Sequence, residues 1–179
     1  MSSSTTDVSA QSPPPALLNA AVITVSDSCS RGERADLSGP ATAELLRQHG
    51  FDVTHQEIVA DDQPTIEAAL VRLSKQVHLV VTTGGTGIAA RDVTPEATRA
   101  VCSKLIEGIP EKLRCDGLAQ TPFAMLSRGL CGIRGQALVL NLPGSPSGAA
   151  QSLLAVIEVL SHAVDLLAGK TEHDHGDRG

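Results

Sequence analysis

Aromatic side chains are nearly absent from this chain of 179 residues: it has no Trp and no Tyr, and Phe51 and Phe123 are its only Phe residues. Stacking of bases on aromatic rings, which single-strand nucleic-acid binders use, is therefore nearly excluded. Excess positive charge is also absent, because the formal net charge is -6. Without a broad basic face, neither nucleic acid nor an anionic membrane is a predicted partner.

Three further absences narrow the class of protein. No apolar run reaches the roughly 18 residues that a membrane helix needs. Residues 1–20 contain no Lys or Arg and fit neither a secretory signal nor a transit peptide. The four cysteines form no C-x-x-C pair, which argues against a zinc ribbon or a redox motif. A reduced, cytoplasmic protein is the expectation that these absences support.

The length and the composition of the ends predict one domain between two tails. Residues 1–19 are rich in Ser, Thr and Pro and are expected to be disordered. The domain is expected to span residues 20–169. Residues 170–179 form a polar C-terminal tail whose His and Asp residues favour a solvated end over a metal site.

Strand-like apolar runs alternate with helix-like segments along the domain. Strands are predicted in "AAVITVS" near Ala20, "FDVTHQEIV", "HLVVTT" and "QALVLNL". Helices are predicted from Pro40 to His49, in "DDQPTIEAALVRLSKQ", after a Thr94 cap, in "PEKLRCDGLA" and over the long segment after "NLPGSPSG". This alternation predicts an α/β fold of three layers, a mostly parallel sheet with helices on both faces.

The last helix shows the clearest amphipathic pattern, with apolar residues at helical spacing. Its predicted inward residues are Ala150, Leu153, Leu154, Ile157, Leu160, Val164 and Leu167.

The loop after the third predicted strand, "TTGGTG", has the composition of a phosphate-binding loop. Gly84, Gly85 and Gly87 would let backbone N–H groups approach a phosphate, and Thr83 and Thr86 add hydroxyl donors. The segment matches neither the Walker A pattern nor G-x-G-x-x-G. A purely structural turn and a phosphate cradle therefore both remain open for this loop.

A second glycine-bearing loop, "NLPGSPSG", precedes the longest helix. It places Gly144, Ser145 and Ser147 at a helix N-terminus, where the helix dipole favours an anion. The alternative is that Ser145 is only the N-cap and Pro146 the first helical residue. Because ligands of open α/β sheets bind beyond the carboxyl ends of the strands, both loops are expected at one edge.

Carboxylates follow two of the predicted strands. Asp92, and either Asp61 or Asp62, could converge on Mg²⁺, which takes one or two carboxylates together with phosphate oxygens and water. Asp62 is more typical of a helix cap, which leaves Asp61 as the freer carboxylate, and Asp92 could also be a turn residue. Cys29 has no identifiable activating base and is interpreted as an inert thiol.

Four stretches in order, "ITVSDS", "LVVTTGGTG", "RDVTPEAT" and "AMLSRGLCGIRGQALVLNLPGSP", resemble the MoaB/Mog family of molybdenum-cofactor biosynthesis proteins. The resemblance runs from about Ala20 to Gly169. It implies a molybdopterin-binding α/β fold and, for the Mog branch, an adenylyltransferase. In that reaction the terminal phosphate of molybdopterin attacks the α-phosphate of ATP, and pyrophosphate leaves with the help of Mg²⁺.

The resemblance also implies roles for particular residues. Asp61 and Asp92 match the family's functional aspartates and would be the catalytic and Mg²⁺-binding carboxylates. The matched nucleotide- and pterin-phosphate-binding residues are Ser26, Asp27, Thr83, Gly84, Gly85, Thr86, Gly87, Pro143, Gly144, Ser145 and Ser147. A homo-oligomer, a trimer or two trimers paired into a hexamer, is implied as well. The alternative function is a MoaB-type protein that binds molybdopterin, or acts as a scaffold, without turnover.

Overall fold

The computed structural model describes residues 18–169, so the polar C-terminal tail and all but two residues of the N-terminal tail lie outside the described residues. The first strand begins two residues before the predicted domain boundary. The elements in chain order are β1 Leu18–Val25, α1 Asp27–Ser30, α2 Ser38–Gln48, β2 Phe51–Val59, α3 Gln63–Leu73, β3 Leu79–Thr83, α4 Thr94–Val101, β4 Lys104–Leu105, α5 Gly108–Leu118, a 3-10 helix Pro122–Leu126, β5 Cys131–Arg134, β6 Ala137–Leu142 and α6 Pro146–Leu167.

The six strands form one sheet in the order β2-β1-β3-β6-β5-β4. The first four are parallel, whereas β5 and β4 extend the sheet antiparallel. Thr83 is in register with Thr24 on β1 and with Leu142 on β6, so the carboxyl ends of the three central strands meet at one edge. The mostly parallel sheet is confirmed, but the sequence alone did not reveal β4 and β5.

Both faces of the sheet are covered, and each face has its own apolar core. Successive residues of β1 alternate between these cores: Val22 belongs to the core beneath α2, α5 and α6, and Ile23 to the core beneath α3 and α4. A strand buried on both faces reads as the continuous apolar run seen in the sequence. The predicted three-layer α/β fold is confirmed.

The predicted helices are present, with corrections at their ends. The N-cap of α3 is Asp62, as expected, and Gly50 follows α2 with a positive φ of 85°. The predicted Thr94 cap is wrong: Thr94 is the first residue of α4, and its hydroxyl donates to the Gly84 carbonyl at 3.0 Å. This hydrogen bond holds the start of α4 against the loop that follows β3.

The buried face of α6 differs by part of a turn from the predicted one. Leu154 is 49% exposed and Ala150 is only partly buried, whereas Ala149 and Val156 are buried. Within residues 18–169, α6 is also the one helix whose length and mean hydropathy of 1.5 match a membrane span, although the sequence showed no unbroken apolar run. That match is weak evidence, because core helices pass the same test.

Candidate active site at the carboxyl edge of the sheet

The chain reverses its direction of winding between β1 and β3, because β1 lies between β2 and β3 in the sheet. At such a switch point the loops leave the sheet in opposite directions and open a crevice at the carboxyl ends of the strands. The loop after β1, the loop before α3, the glycine loop (residues 84–92) and the proline loop (residues 143–147) surround this crevice. The two glycine-bearing loops that the sequence singled out, and the loops that hold Asp27 and Asp61, therefore share one edge.

Two cavities open at this edge and meet at Ser145, which lines both. A cavity of about 560 Å³ brings together, among others, Ser26, Asp61, Thr83, Gly84, Gly85 and Gly144. A cavity of about 390 Å³ contains Thr86, Gly87 and Pro143 beside apolar side chains such as Ile88, Leu113 and Phe123. Of the predicted site residues, Asp27, Asp92 and Ser147 line neither of these two cavities.

Backbone geometry makes glycine necessary at the start of the glycine loop. Gly84 and Gly85 have positive φ angles of 93° and 63°, a region that L side chains rarely adopt. A Cβ on Gly84 would overlap the carbonyl oxygen of Val25, and one on Gly85 would overlap the hydroxyl of Thr94. The loop thus lies directly against the end of β1.

Four successive N–H groups of the glycine loop, from Gly85 to Ile88, donate no hydrogen bond to any acceptor in residues 18–169. The N–H groups on either side are used, since Gly84 donates to Leu142 and Ala89 to Asp92. A run of free backbone donors next to positive-φ glycines is the arrangement that binds anions in phosphate loops. This geometry favours the cradle over the plain turn.

Asp27 and Asp61 join the loops after β1 and β2 through a reciprocal pair of hydrogen bonds. The Asp27 N–H donates to Asp61 Oδ2 at 2.8 Å, and the Asp61 N–H donates to Asp27 Oδ1 at 3.0 Å. The other oxygen of Asp27 forms an ion pair with Arg91 of the glycine loop. Ser26 caps α1 by accepting from the Cys29 N–H at 3.3 Å. Asp27 therefore links Asp61 to the glycine loop, through two hydrogen bonds on one side and the ion pair with Arg91 on the other.

Asp61 and Asp92 lie close enough to influence each other. Burial first, and the negative charge of Asp92 second, raise the pKa of Asp61. One oxygen of each carboxylate is occupied, Asp61 Oδ2 by Asp27 and Asp92 Oδ2 by the Ala89 N–H at 2.8 Å. The other oxygen of each accepts no hydrogen bond from the part of the chain that the structure describes. Two partly buried carboxylates with free oxygens are thus available to a ligand.

The neighbouring aspartates 61 and 62 differ in their hydrogen bonds. Asp62 Oδ2 accepts from the N–H and the hydroxyl of Thr65 at 3.1 and 2.6 Å, so this side chain caps α3. The capping interpretation of Asp62 is confirmed, and Asp61 is the carboxylate that lines the 560 Å³ cavity.

The proline loop is held by the start of α6. Ser145 is the N-cap and accepts from the Gly148 N–H at 3.2 Å, so its predicted capping role is confirmed. The N–H groups of Gly144, Ser145 and Ser147 donate to no acceptor within residues 18–169. Gly144 touches the glycine loop, because a Cβ on it would lie 3.1 Å from the Gly84 Cα. Anion binding by this loop stays a prediction.

Several polar residues at this edge were not foreseen from the sequence. Asp36 accepts from the Thr24 hydroxyl at 2.6 Å and the Gly39 N–H at 3.0 Å, which fixes the start of α2 beside the cavity. Asn141 is buried in β6 and donates to the hydroxyls of Thr82 and Thr98 at 3.0 and 2.9 Å. The one signal in the sequence was a lone Asn inside the apolar run "ALVLNL", since buried amides need partners.

The fold and the site together define a class: a three-layer α/β domain with a ligand cleft at a topological switch point, walled by two loops with free N–H groups. Residues 21–162 match the family model described as "Probable molybdopterin binding domain". The chain belongs to this molybdopterin-binding family.

Named relatives cover most of the chain. It is 44% identical over 152 residues to the molybdopterin adenylyltransferase of Helicobacter pylori strain J99, covering 83% of this chain and 86% of that protein. Identity to the molybdopterin adenylyltransferase of Escherichia coli K12 is 39% over 152 residues, covering 82% and 77%.

Solved structures show the same fold. The molybdopterin biosynthesis enzyme MoaB of Thermus thermophilus superposes with a TM-score of 0.81 at 45% identity, covering 86% of this chain and 98% of that one. The molybdopterin biosynthesis Mog protein of Mycobacterium ulcerans superposes with a TM-score of 0.78 at 41% identity, covering 84% and 99%. Both the MoaB and the Mog names therefore occur among similar structures.

Proposed function

We propose that this protein is a molybdopterin adenylyltransferase of molybdenum-cofactor biosynthesis. It transfers AMP from ATP to the terminal phosphate of molybdopterin, giving adenylated molybdopterin and pyrophosphate. The names of relatives at 44% and 39% identity support the proposal. The observation that carries it is the placement of Asp61 and Asp92, each with a free carboxylate oxygen, beside four free N–H groups of the glycine loop.

The reaction requires little covalent chemistry from the protein, because the bonds that form and break belong to the two substrates. A phosphate oxygen of molybdopterin forms a bond to the α-phosphorus of ATP, and the bond from that phosphorus to pyrophosphate breaks. Positioning of the two phosphate groups and stabilisation of the developing charge lower the barrier of such transfers. Free backbone donors at the glycine loop supply both without a nucleophilic side chain.

The carboxylates fit a Mg²⁺ site that the substrate completes. Their mutual repulsion, which helps to raise the pKa of Asp61, is what a cation between them would relieve. No group of three or more His, Cys, Asp or Glu residues that could hold a metal occurs among the residues described. Mg²⁺ is commonly held by one or two carboxylates with phosphate oxygens and water. Asp61 and Asp92 would hold it, and it would neutralise phosphate charge.

The two cavities suit two substrates that meet at one point. Each is lined by part of the glycine loop, and Ser145 belongs to both. We assign ATP and molybdopterin to these two cavities, with the reacting phosphates near Ser145 and the glycine loop. The proline loop, which touches the glycine loop at Gly144, then contributes further anion donors through its free N–H groups.

The proposal is tested by incubating the protein with ATP, Mg²⁺ and molybdopterin and measuring pyrophosphate and adenylated molybdopterin. Product that depends on all three supports it. Pyrophosphate no higher than background, together with tight ATP-independent binding of molybdopterin in calorimetry, would replace it with the non-catalytic alternative.

A matched pair of variants tests the assignment of the carboxylates. Asp61→Asn should lower turnover by roughly 10²-fold, the typical cost of losing one electrostatic element of an active site. Asp62→Asn keeps a residue that caps helices well, so its turnover should stay close to that of the wild type. Equal losses in both variants would contradict the choice of Asp61.

We further propose a homo-oligomer, a trimer or two trimers paired into a hexamer, in a reducing cytoplasm. Large apolar side chains that the single chain leaves exposed away from the two cavities support self-association: Met125, Val159 and Leu154 are 63%, 54% and 49% exposed. All four cysteines are free, which agrees with a reducing compartment. Analytical ultracentrifugation should show a trimer or a hexamer, and a monomer at micromolar concentration would contradict the proposal.

A further inference from the structure

Arg128 lies between the 3-10 helix and β5 and grips the glycine loop at several acceptors. Its Nε donates to the Gly87 carbonyl at 2.7 Å and its Nη2 to the Asp92 carbonyl at 2.5 Å. Its Nη1 pairs with the carboxylate of Glu96 on α4. The Arg128 backbone N–H also donates to the Thr86 carbonyl at 2.9 Å. One residue thus contacts the loop at three carbonyl groups, those of Thr86, Gly87 and Asp92.

These contacts determine where the N–H groups of the loop point. In a planar trans peptide the C=O and the following N–H point in opposite directions, and no described peptide bond is cis. Because Arg128 holds the carbonyls of Thr86 and Gly87, the N–H groups of Gly87 and Ile88 are directed away from it. Both belong to the run of free donors described above.

Arg128 also fixes Asp92. The Asp92 carbonyl is held by the guanidinium, its N–H donates to the Ala89 carbonyl at 2.9 Å, and its Oδ2 accepts from the Ala89 N–H. Glu96 in turn holds the guanidinium, and the hydrogen bond from Arg128 lowers the pKa of Glu96, so this partner is ionised at neutral pH. The remaining Asp92 oxygen is thereby kept in one place.

We propose that Arg128 is a positioning residue for adenylyl transfer, which orients the free donors of the glycine loop and the carboxylate of Asp92 from outside the cavities. This inference rests on the proposed function. A lysine cannot replace the arginine, because an ammonium is a point charge that lacks the planar fork needed to reach two carbonyls and a carboxylate together.

The test compares Arg128→Lys with Arg134→Lys. Arg134 makes a similar contact away from the cleft, since its Nη1 donates to the Val101 carbonyl at the end of α4 at 2.7 Å. Arg128→Lys should lower kcat by roughly 10²-fold, the size of effect that a small misplacement of reacting groups produces. Arg134→Lys should keep kcat within about twofold, as a contact remote from the reacting groups is expected to. The two variants should unfold at similar temperatures.

Amide hydrogen exchange in the ligand-free protein supplies a readout independent of activity. The N–H groups of Asp92 and Thr94, which bond to Ala89 and Gly85, should exchange faster in Arg128→Lys than in Arg134→Lys. Glu96→Gln, which keeps both carbonyl contacts, should lose less activity than Arg128→Lys.

Three results would overturn the positioning role: kcat of Arg128→Lys within twofold of the wild type, equal losses in both Arg variants, or unchanged exchange in the glycine loop. A wild-type protein that makes no product would instead sink the proposed function. In that case the exchange comparison alone still supports or overturns Arg128 as the residue that orders the loop.

Discussion

The glycine loop and the proline loop lie side by side at one cleft and touch at Gly84 and Gly144, yet they are held in place differently. The glycine loop depends on partners outside itself: Thr94 and Arg128 hold its carbonyls, and Gly84 packs on the end of β1. The proline loop is ordered by α6, whose N-cap Ser145 lies within it. We therefore expect the glycine loop to be more sensitive to changes in its backbone than the proline loop.

Alanine at corresponding glycines should expose this difference most strongly. Gly84→Ala combines a positive φ of 93° with overlap on the Val25 carbonyl, so it should destabilise the fold by about 3 kcal/mol or more. Gly144 has no positive φ, and an added Cβ would meet only Gly84, at 3.1 Å from its Cα and 3.7 Å from its N, so Gly144→Ala is expected to cost about 1 kcal/mol. Chemical denaturation of both variants measures the difference.

Gly50→Ala separates strain from overlap in that comparison. Gly50 has a φ of 85° but nothing within 4 Å of an added Cβ, so only backbone strain of about 1–2 kcal/mol remains. If Gly84→Ala cost no more than Gly50→Ala, the close approach of the glycine loop to β1 would be refuted.

Asp92→Asn tests the chemistry of the glycine loop without disturbing its backbone. The carbonyl and the N–H of residue 92 keep their contacts, and the amide oxygen of Asn can still accept from the Ala89 N–H, so the unfolding temperature should be close to that of the wild type. Turnover should fall by roughly 10²-fold or more, because an electrostatic element near the transferred phosphate is lost. Steady-state rates of pyrophosphate release provide the measurement, and wild-type rates in the variant would remove Asp92 from the mechanism.

Ser145→Ala and Ser145→Asp test how the proline loop is held and whether it binds an anion. Loss of an N-cap hydroxyl typically costs about 1 kcal/mol, and here it removes the bond to the Gly148 N–H. Ser145→Asp restores a capping group but adds negative charge between the two cavities. Stability should therefore recover in the Asp variant while turnover stays low. Recovery of both would mean that no anion binds near Ser145.

The smallest effect concerns pH. The folded pKa of Asp61 is raised above 3.8 by burial and then by Asp92. Below pH 3.8 the carboxyl is protonated in both states and costs nothing; as the pH rises, the unfolded chain releases its proton first, and stability falls until Asp61 ionises in the folded protein. In EDTA, Asp61→Asn should therefore gain stability relative to the wild type between pH 4 and pH 7. A constant difference would contradict the raised pKa.

Much of the fold and part of the candidate site could be predicted from the sequence, because patterns of neighbouring residues indicate them. The apolar runs of β1, β3 and β6 are continuous, since both faces of these strands are buried, and the Asp62 and Ser145 caps follow common rules. The glycines that follow the buried strand β3 then indicated a candidate phosphate-binding loop.

The remainder depends on contacts between residues far apart in the chain. The antiparallel β4 and β5 have two and four residues, too few to show a period. The guanidinium of Arg128 reaches the glycine loop across 36 to 41 positions, and the hydrogen bonds between Asp27 and Asp61 span 34. No pattern of neighbouring residues in the sequence indicates contacts over such distances. The sequence likewise did not reveal the hydrogen bond from the Thr94 hydroxyl to the Gly84 carbonyl. Thr94, which was predicted to cap α4, holds the glycine loop instead.

A crystal structure of the protein soaked with ATP and Mg²⁺ tests the central claim most directly. Phosphate oxygens should lie within hydrogen-bond distance of the free N–H groups between Gly85 and Ile88, with the metal bound by Asp61 and Asp92. Nucleotide bound away from residues 84–87, or metal bound to neither aspartate, would contradict the account of this cleft.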